Sequence, residues 1–260
     1  MSINSMISWT QATWNPVVGC TKHSEGCRHC YAVRHVWRMG GHPNAAIRRA
    51  NEGVVGYKAN ELEWSGVVRP LPDRLQYPLR WRKPRMVFVN SLSDLFHKDV
   101  PDDYIAEVFA TMRSAHWHNF QVLTKRSDRL RKLSPILAWR PNIWMGVSVE
   151  SAKYVNRIDD LRATGAQLKF LSLEPLLGPM PGLNLEGIDW VIVGGETGPR
   201  ARRMEAEWVR DVRDQCVAAG VPFYLKRWGE FDEMGVRVGK LSAGSMLEAQ
   251  VWDQMPHRQG

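Results

Sequence analysis

The chain has 260 residues, 44% of them hydrophobic and 24% charged, a composition that excludes a disordered or fibrous protein. No apolar run approaches the roughly 20 residues that cross a bilayer, and the first ten residues lack a basic segment followed by an apolar one. We therefore expect a cytoplasmic protein with no membrane partner. Its 35 Lys and Arg against 27 Asp and Glu give a net charge of +8, which permits a nucleic-acid partner without requiring one.

Three of the four cysteines lie close together, at Cys20, Cys27 and Cys30. They form the pattern C-x6-C-x2-C, and the glycine before each of the first two lets the backbone turn tightly, so that the thiolates can converge. In a reducing compartment, clustered cysteines indicate a metal site or catalysis rather than disulfides. The fourth, Cys216, falls on a predicted helix and is interpreted as a small buried core residue.

Three kinds of site are compatible with this loop. An iron–sulfur cluster needs the three thiolates and leaves one iron open for a substrate or cofactor. Structural zinc needs a fourth ligand, which His23 supplies in the pattern C-x2-H-x3-C-x2-C. Alternatively the thiols are unligated, or Cys27 and Cys30 form a redox pair. The residue types alone leave these interpretations open.

Residues 40–85 are less regular, and we expect an insertion or lid with little sheet content. This segment includes a run of cations around a tryptophan, and a second basic group follows a later strand. Cations neutralise phosphates and aromatic rings stack on unpaired bases, so such groups favour DNA or RNA as a partner, with Trp81 or Trp228 stacking on a base. The predicted nucleic-acid-binding residues are Arg80, Trp81, Arg82, Lys83, Arg85, Lys125 and Arg126.

From Met86 onward, apolar runs alternate with helical patterns, which predicts βαβ units and a parallel sheet. The predicted strands cover 86–90, 120–125, 143–150, 168–175, 189–196 and 221–229, and a segment before Cys20 can supply one more. The predicted helices cover 102–114, 127–133 with Ser127 as its cap, 151–163 and 205–219. A complete eight-stranded barrel fits poorly, whereas a partial barrel or an open doubly wound sheet fits. We expect one domain over 1–230 and a peripheral hairpin or extension over 231–260.

The carboxyl end of each predicted strand carries polar side chains, either within the strand or directly after it. In parallel α/β folds the functional site lies at the carboxyl edge of the sheet, so six polar strand ends in succession predict a pocket there. The residues are Asn90, Ser91 and Asp94; Lys125 and Arg126; Ser148 and Glu150; Glu174; Glu196; and Lys226 and Arg227, of which the last two could bind an anionic group.

The opening WTQATWNPVVGC, the motif GCRHCYA and the stretches VFVNSLSDLFH, FLSLEPLLGP and DWVIVGGETG are similar to the phage- and prophage-borne family of three-cysteine-motif proteins, over residues 8–230. The cysteine loop, the aromatic Tyr31 beside it and the βα units that follow also resemble radical S-adenosylmethionine enzymes. That resemblance implies a partial (β/α)6-type parallel barrel with an N-terminal three-cysteine loop. It further implies a [4Fe–4S] cluster, S-adenosylmethionine bound to its open iron, a 5′-deoxyadenosyl radical and an electron donor.

The chain departs from the usual superfamily pattern in three ways. The first cysteine gap is six residues instead of three, His29 stands where an aromatic residue is usual, and Gly194-Gly195-Glu196 follows a late strand. By strand order, the resemblance places the cofactor's amino group near Asn90, Ser91 and Asp94. The ribose falls near Ser148 and Glu150, and Glu174 and Glu196 are further candidates for cofactor or substrate contacts.

The function that the resemblance implies is radical chemistry on a substrate, which for a phage-type enzyme with basic groups suggests a nucleic-acid base or nucleotide. If the chain is phage-encoded, the site of action is the host cytoplasm. The alternative is a zinc-stabilised nucleic-acid-binding or adaptor protein without catalysis, in which His23 completes the metal site.

Overall fold

The computed structural model of the chain describes residues 5–256. Its strands are β1 (Ala12–Trp14), β2 (Val17–Val18), β3 (Val55–Lys58), β4 (Glu61–Trp64), β5 (Arg69–Pro70), β6 (Met86–Val89), β7 (Asn119–Thr124), β8 (Ile143–Ser148), β9 (Leu168–Leu173), β10 (Trp190–Gly194), β11 (Phe223–Arg227), β12 (Met246–Leu247) and β13 (Gln250–Val251). Its α-helices are α1 (Tyr31–Gly40), α2 (Ala45–Asn51), α3 (Asp102–Ser114), α4 (Ser127–Leu133), α5 (Asn156–Arg162) and α6 (Ala206–Ala219).

The principal sheet has seven strands in the order β1-β6-β7-β8-β9-β10-β11. The β1–β6, β6–β7, β9–β10 and β10–β11 pairs are parallel. The strands β6, β8 and β10 are buried throughout, as expected when both faces of a parallel sheet are covered. The predicted α/β fold with a partial parallel barrel is confirmed, and the predicted strand before Cys20 is β1.

The described chain divides into two compact units. The first comprises residues up to 144 together with 164–167, and the second comprises 145–163 and the residues from 168 onward. The cysteine loop, α1 to α4 and β1 to β7 belong to the first unit. The second unit contains α6, β9, β10, β11 and the C-terminal segment.

The segment 40–85 is more regular than expected. It contains α2 and an antiparallel hairpin of β3 and β4, and β5 pairs antiparallel with β2. The expectation of little sheet content was therefore wrong. The hairpin turn consists of Ala59 and Asn60, whose φ angles of 47° and 62° are those of a two-residue type I′ turn. The turn escaped prediction because it lacks the glycine that usually marks it.

The C-terminal segment forms the predicted hairpin, β12–β13, in the second unit. It also runs beside the last strand of the sheet, since the Leu225 amide donates to the Trp252 carbonyl at 2.8 Å. The hairpin turn at Glu248 and Ala249 again has two positive φ angles, 54° and 61°. The segment thus covers part of the edge that β11 would otherwise present.

One predicted helix cap and one predicted helix start were wrong. Ser127 is the first residue of α4 rather than its cap, and the capping position is held by Arg126, whose amide donates to Thr124 Oγ1 at 2.9 Å. The helix expected over 151–163 is shorter, because residues 152–154 form a 3₁₀ turn before α5. The boundaries predicted for α3 are confirmed.

Of the helices in residues 5–256, none is long and apolar enough to cross a membrane.

Gly19 fixes the path of the chain between β2 and Cys20. Its φ of +95° lies in the left-handed region, and a Cβ atom there would lie 2.1 Å from the Val67 carbonyl oxygen. Its amide donates to the Leu92 carbonyl at 3.2 Å, which ties the loop to the turn after β6. Only glycine allows this close approach in this conformation.

We predict that Gly19→Ala lowers the free energy of unfolding by at least about 2 kcal/mol more than Gly66→Ala. Gly66 has nearly the same φ, +94°, but no atom lies within 4 Å of a Cβ built there. Comparing the two variants therefore separates the destabilisation caused by the close contact from the backbone strain that both substitutions share. Urea denaturation of the two variants measures the difference, and equal losses would contradict the prediction.

Candidate functional site

The cysteine loop lies at the carboxyl ends of β6 and β7. Arg126, two residues after β7, places its Nη1 atom 3.8 Å from Cys20 Sγ and donates from Nη2 to the Thr21 carbonyl at 3.1 Å. Cys30 packs against the hydrophobic cluster that α1 forms with Leu92, in the turn after β6. The loop therefore covers the sheet edge at which the sequence predicts the site.

A buried ion pair holds this arrangement together. Arg126 Nη1 lies 2.9 Å from Asp94 Oδ2, and the two residues are only 8% and 6% exposed. The Asp94 carboxylate also accepts hydrogen bonds from Thr124 Oγ1 at 2.7 Å and from the amides of Lys125 and Phe96 at 3.1 and 3.0 Å. With four donors around it, the carboxylate is satisfied within the protein. Asp94 thus stabilises the carboxyl edge of the sheet and is not available to bind a ligand.

The three loop cysteines are free thiols. Burial and the Asp94 carboxylate raise the pKa of Cys20 to about 12, while Arg126 opposes the shift. Burial also raises the pKa of Cys30. A raised pKa disfavours the thiolate form of Cys20 and Cys30, on which thiol–disulfide exchange and metal binding both depend.

The predicted metal ligands are not assembled around one ion. Within residues 5–256, no group of three or more His, Cys, Asp and Glu side chains is placed so that it could hold a metal ion. This applies to the zinc set with His23, whose donors would all lie about 2.0–2.3 Å from one ion. A four-iron cluster takes one thiolate per iron, so its ligands do not share an ion. The kinds of side chain present fit such a cluster, because the loop has three free thiols and a cation lies beside one of them.

The turn after β6 carries the predicted cofactor contacts Asn90 and Ser91. Asn90 is 3% exposed and has φ of +61°, and its Oδ1 accepts from the Val17 amide at 3.2 Å. Its Nδ2 is buried and has no hydrogen-bond partner in the described part of the chain. Ser91 Oγ donates to Asn15 Oδ1 at 3.2 Å, and the Ser91 carbonyl accepts from the Tyr31 hydroxyl at 2.9 Å. The open donor on Asn90 suits an acceptor oxygen and not the amino group that the resemblance assigns there.

The three predicted glutamates lie in the second unit, and each is paired with a cation. Glu150 is fully buried and lies 2.8 Å from Arg157, whose guanidinium also donates to the Ser148 carbonyl at 2.7 Å. Glu174 Oε1 lies 2.6 Å from Lys226 Nζ, and Glu196 Oε1 lies 2.6 Å from Arg202 Nη2. Buried carboxylates need such compensation, so Glu150 and Glu196 have a structural role, and Glu174, with 16% of its side chain exposed, is the most exposed of the three glutamates.

The predicted nucleic-acid-binding residues are divided between two edges. Arg80, Arg82 and Lys83 precede β6, whereas Lys125 and Arg126 follow β7, and β6 and β7 run parallel. A four-residue strand spans roughly 13 Å, so the two groups flank the sheet from opposite ends. They cannot form one patch at the carboxyl edge.

Both tryptophans expected to stack on a base are used in packing. The Trp81 carbonyl accepts from Trp117 Nε1 at 2.7 Å, and its ring meets His118 edge-on at 5.7 Å. Trp228 is 2% exposed and donates from Nε1 to the Met246 carbonyl at 2.7 Å. The stacking role expected for Trp228 was wrong, because its ring is inside the fold.

Several residues at the site were missed. Thr21 and His97 connect the loop to the turn after β6 through a 2.8 Å contact between Oγ1 and Nε2. Asn15 accepts the Leu92 amide at 3.0 Å, and Arg157 and Arg202 neutralise the glutamates. In sequence these are single polar residues or, for Arg202, one of several neighbouring arginines, and only their tertiary partners distinguish them from surface positions.

A family model described as a protein of unknown function (DUF5131) matches residues 4–256, nearly the whole chain. No curated protein and no solved structure matches the chain.

We predict that Asp94→Asn lowers the free energy of unfolding by about 3–5 kcal/mol, because it leaves the Arg126 guanidinium buried without its counter-charge. The control is Asp102→Asn, which removes the partner of Arg129 at a position where the aspartate side chain is 57% exposed. That loss should stay below about 1 kcal/mol. Chemical denaturation measures both, and similar losses would contradict the structural role of Asp94.

We further predict that stability falls as pH drops below about 6.5, with His97 as one cause. The His97 Nδ1 accepts the Asp99 amide at 3.2 Å, so the neutral ring carries its proton on the Nε2 that faces Thr21. Burial, with Arg126 as the next cause, lowers the pKa of His97 below 6.5. The folded state then binds fewer protons than the unfolded state, so stability is complete above pH 6.5 and declines below it.

The measurement is the unfolding midpoint of the wild type and His97→Asn between about pH 7.5 and 5.5, above the range in which carboxylates titrate. Since asparagine does not titrate, the variant should lose less stability over this range. Burial also lowers the pKa of His118, which contributes equally to both proteins. Parallel pH profiles would exclude His97 as a cause.

Proposed function

Because the chain belongs to the DUF5131 family, whose function is unknown, we propose its function from the site itself. We propose that it is a radical S-adenosylmethionine-type enzyme that binds a [4Fe–4S] cluster through Cys20, Cys27 and Cys30 and modifies a base or nucleotide of a nucleic acid. The observation that carries the proposal is the position of three free thiols at the carboxyl edge of parallel strands, with a buried cation beside the first of them.

When bound, the cluster together with S-adenosylmethionine supplies one-electron chemistry that leads to hydrogen abstraction from the substrate. The chain's own residues position the cluster ligands. Arg126 holds Cys20 and Thr21, and its positive charge favours the thiolate form that a metal requires. Cys30 begins the chain segment that continues into α1, so its position follows from the packing of that helix.

Asn90 is the residue we propose for cofactor binding at this edge. Its Nδ2 is a buried donor that pairs with no group in residues 5–256, and its backbone is held in a left-handed conformation. Such a buried donor costs free energy unless an acceptor meets it, and a carboxylate oxygen of S-adenosylmethionine is a suitable acceptor. The neighbouring Asp94 is not proposed for this role, since its four hydrogen bonds are internal.

The second unit by itself offers one polar pair that is partly open to a ligand. Glu174 directly follows β9 and Lys226 lies near the end of β11, on either side of β10, and the two side chains keep exposures of 16% and 21%. A pair of this kind can bind both a donor and an anionic group. We also propose that the protein acts in the reducing cytoplasm, where an electron donor is at hand and the thiols stay free.

We predict that protein purified without oxygen and reconstituted with iron and sulfide carries about four irons per chain and absorbs near 400 nm. Cys20→Ala, Cys27→Ala and Cys30→Ala should each lose most of this iron. Cys216→Ala is the control, because Cys216 is buried in α6 and should leave the iron content unchanged. Iron content, sulfide content and the absorption spectrum provide the readout.

Two outcomes would contradict the proposal. Full iron binding in all three loop variants would exclude the thiols as ligands. One tightly bound zinc per chain after oxygen-free preparation, lost in His23→Ala, would favour the adaptor protein instead. If iron is bound, cleavage of S-adenosylmethionine on reduction tests the chemistry, and Asn90→Ala should weaken cofactor binding while it leaves the iron content intact.

A further inference from the structure

The stretch of chain that follows the second loop cysteine is strongly basic. Between Glu25 and Glu52 there is no acidic residue, but there are five arginines and three histidines. The arginines are Arg28, Arg34, Arg38, Arg48 and Arg49. All five are exposed, and none forms an ion pair with another residue of the described chain.

The helix α1 gathers several of these cations on one side. Ala32, Val33 and Val36 face the hydrophobic cluster of the first unit. Arg34 and Arg38 lie on the opposite side with Tyr31 and His35, since these four residues have the spacing i, i+3, i+4 and i+7. The helix α2 packs against α1 and carries Arg48 and Arg49 in its last turn.

Two large aromatic rings are exposed beside these cations. Trp37 is 44% exposed and Tyr57, on the neighbouring hairpin, is 67% exposed. Their rings meet edge to face, with centroids 5.3 Å apart. Tyr31, at the start of α1, is 54% exposed. Exposed rings next to exposed arginines are the composition of a surface that binds nucleotides by stacking and by phosphate contacts.

We infer that this surface, the α1–α2 face of Arg28, Arg34, Trp37, Arg38, Arg48 and Arg49, binds single-stranded nucleic acid. Unpaired bases present the ring faces that Trp37 and Tyr57 can contact, while duplex bases are stacked on one another. The phosphates meet the arginines. The inference deepens the proposed function. The binding itself does not require a cluster, but the role of the bound strand as a substrate rests on the proposed function.

Neither the helix dipole, nor a membrane, nor an acidic protein accounts for the whole α1–α2 face. A cation in the last turn of a helix is stabilised by the helix dipole, which explains Arg38, Arg48 and Arg49 but not Arg34 or Arg28. An anionic membrane would require the apolar side of α1, which is buried in the core. An acidic protein would form ion pairs with the arginines, but its carboxylates would not account for the exposed aromatic rings.

The carboxylates near this stretch in sequence and on the neighbouring hairpin form no ion pair with its five arginines within the described chain. Glu63, on the hairpin strand β4, is paired with Lys22. Glu25 and Glu52 stand at the two ends of the basic stretch, and Glu61 lies at the end of the hairpin. The arginines between them therefore keep a positive surface that begins at the cysteine loop.

The test is fluorescence anisotropy with labelled oligonucleotides of about 15 nucleotides, a length within the range that single-strand sites cover. We use thymidine and uridine strands and a duplex of the same length, at several salt concentrations. Single strands should bind more tightly than the duplex. Arg34→Glu with Arg38→Glu should weaken binding at least tenfold and reduce the slope of log K against log salt by about 1.4, for two lost phosphate contacts.

The comparison variant is Arg80→Glu with Arg82→Glu, which makes the same charge change at exposed residues on the amino side of β6, where the sequence predicts nucleic-acid contacts. It should weaken binding much less than the α1 variant. Trp37→Ala should weaken binding about tenfold with the salt slope unchanged, because it removes stacking and no charge, and Trp37→Phe should restore most of the loss. Circular dichroism of each variant verifies the fold.

Several results would overturn the inference. One is that neither single strand binds at low salt, and another is that the two double variants lose equal affinity. The others are that the protein binds the duplex more tightly than the single strands, or that polyglutamate or anionic vesicles displace the oligonucleotide at matched charge. Iron content is measured on the same samples. Wild-type protein that binds iron but no oligonucleotide contradicts the α1–α2 face alone, and wild-type protein that binds oligonucleotide but no iron after reconstitution contradicts the proposed function alone.

Discussion

The ion pair between Arg126 and Asp94 is the contact on which the geometry of the cysteine loop depends. It joins three chain segments that are far apart in sequence: the loop at Thr21, the turn after β6 and the end of β7. Neither charge would be tolerated in this buried position alone, so the position of each segment constrains the other two. The loop beside the thiols is thereby held by side chains that are not themselves candidate ligands.

The strands and the parallel sheet could be predicted because they depend on local composition. Continuous apolar runs mark the buried strands, and the acidic pair Asp102–Asp103 after Pro101 marks the start of α3 where the structure has it. The polar strand ends predicted a site at the carboxyl edge of the sheet, and the cysteine loop lies at that edge. The hairpin over β3 and β4 could not be found, since its turn uses Ala59 and Asn60 rather than a glycine.

The roles of single polar residues at the edge could not be predicted. Asp94, Glu150 and Glu196 resemble open ligands in sequence, yet each is satisfied by internal donors. The donors to Asp94 include side chains 30 and 32 residues away, and a sequence read in one dimension does not show such partners. The same limit applies to charge. A run of adjacent cations before β6 is conspicuous, whereas cations that share a helix face are separated by three or four residues and look scattered.

The contact between Arg126 and Cys20 spans 106 residues, and this has a consequence for biosynthesis. A ribosome adds about 5–20 residues per second, so the thiols are made roughly 5–20 s before the guanidinium that holds the first of them. During that interval the loop has neither the Arg126 guanidinium nor the complete sheet edge against which it packs. The nascent cysteines are then open to oxidants and to whichever metal is most abundant. The order of synthesis therefore leaves the loop cysteines without their buried surroundings while the rest of the chain is being made.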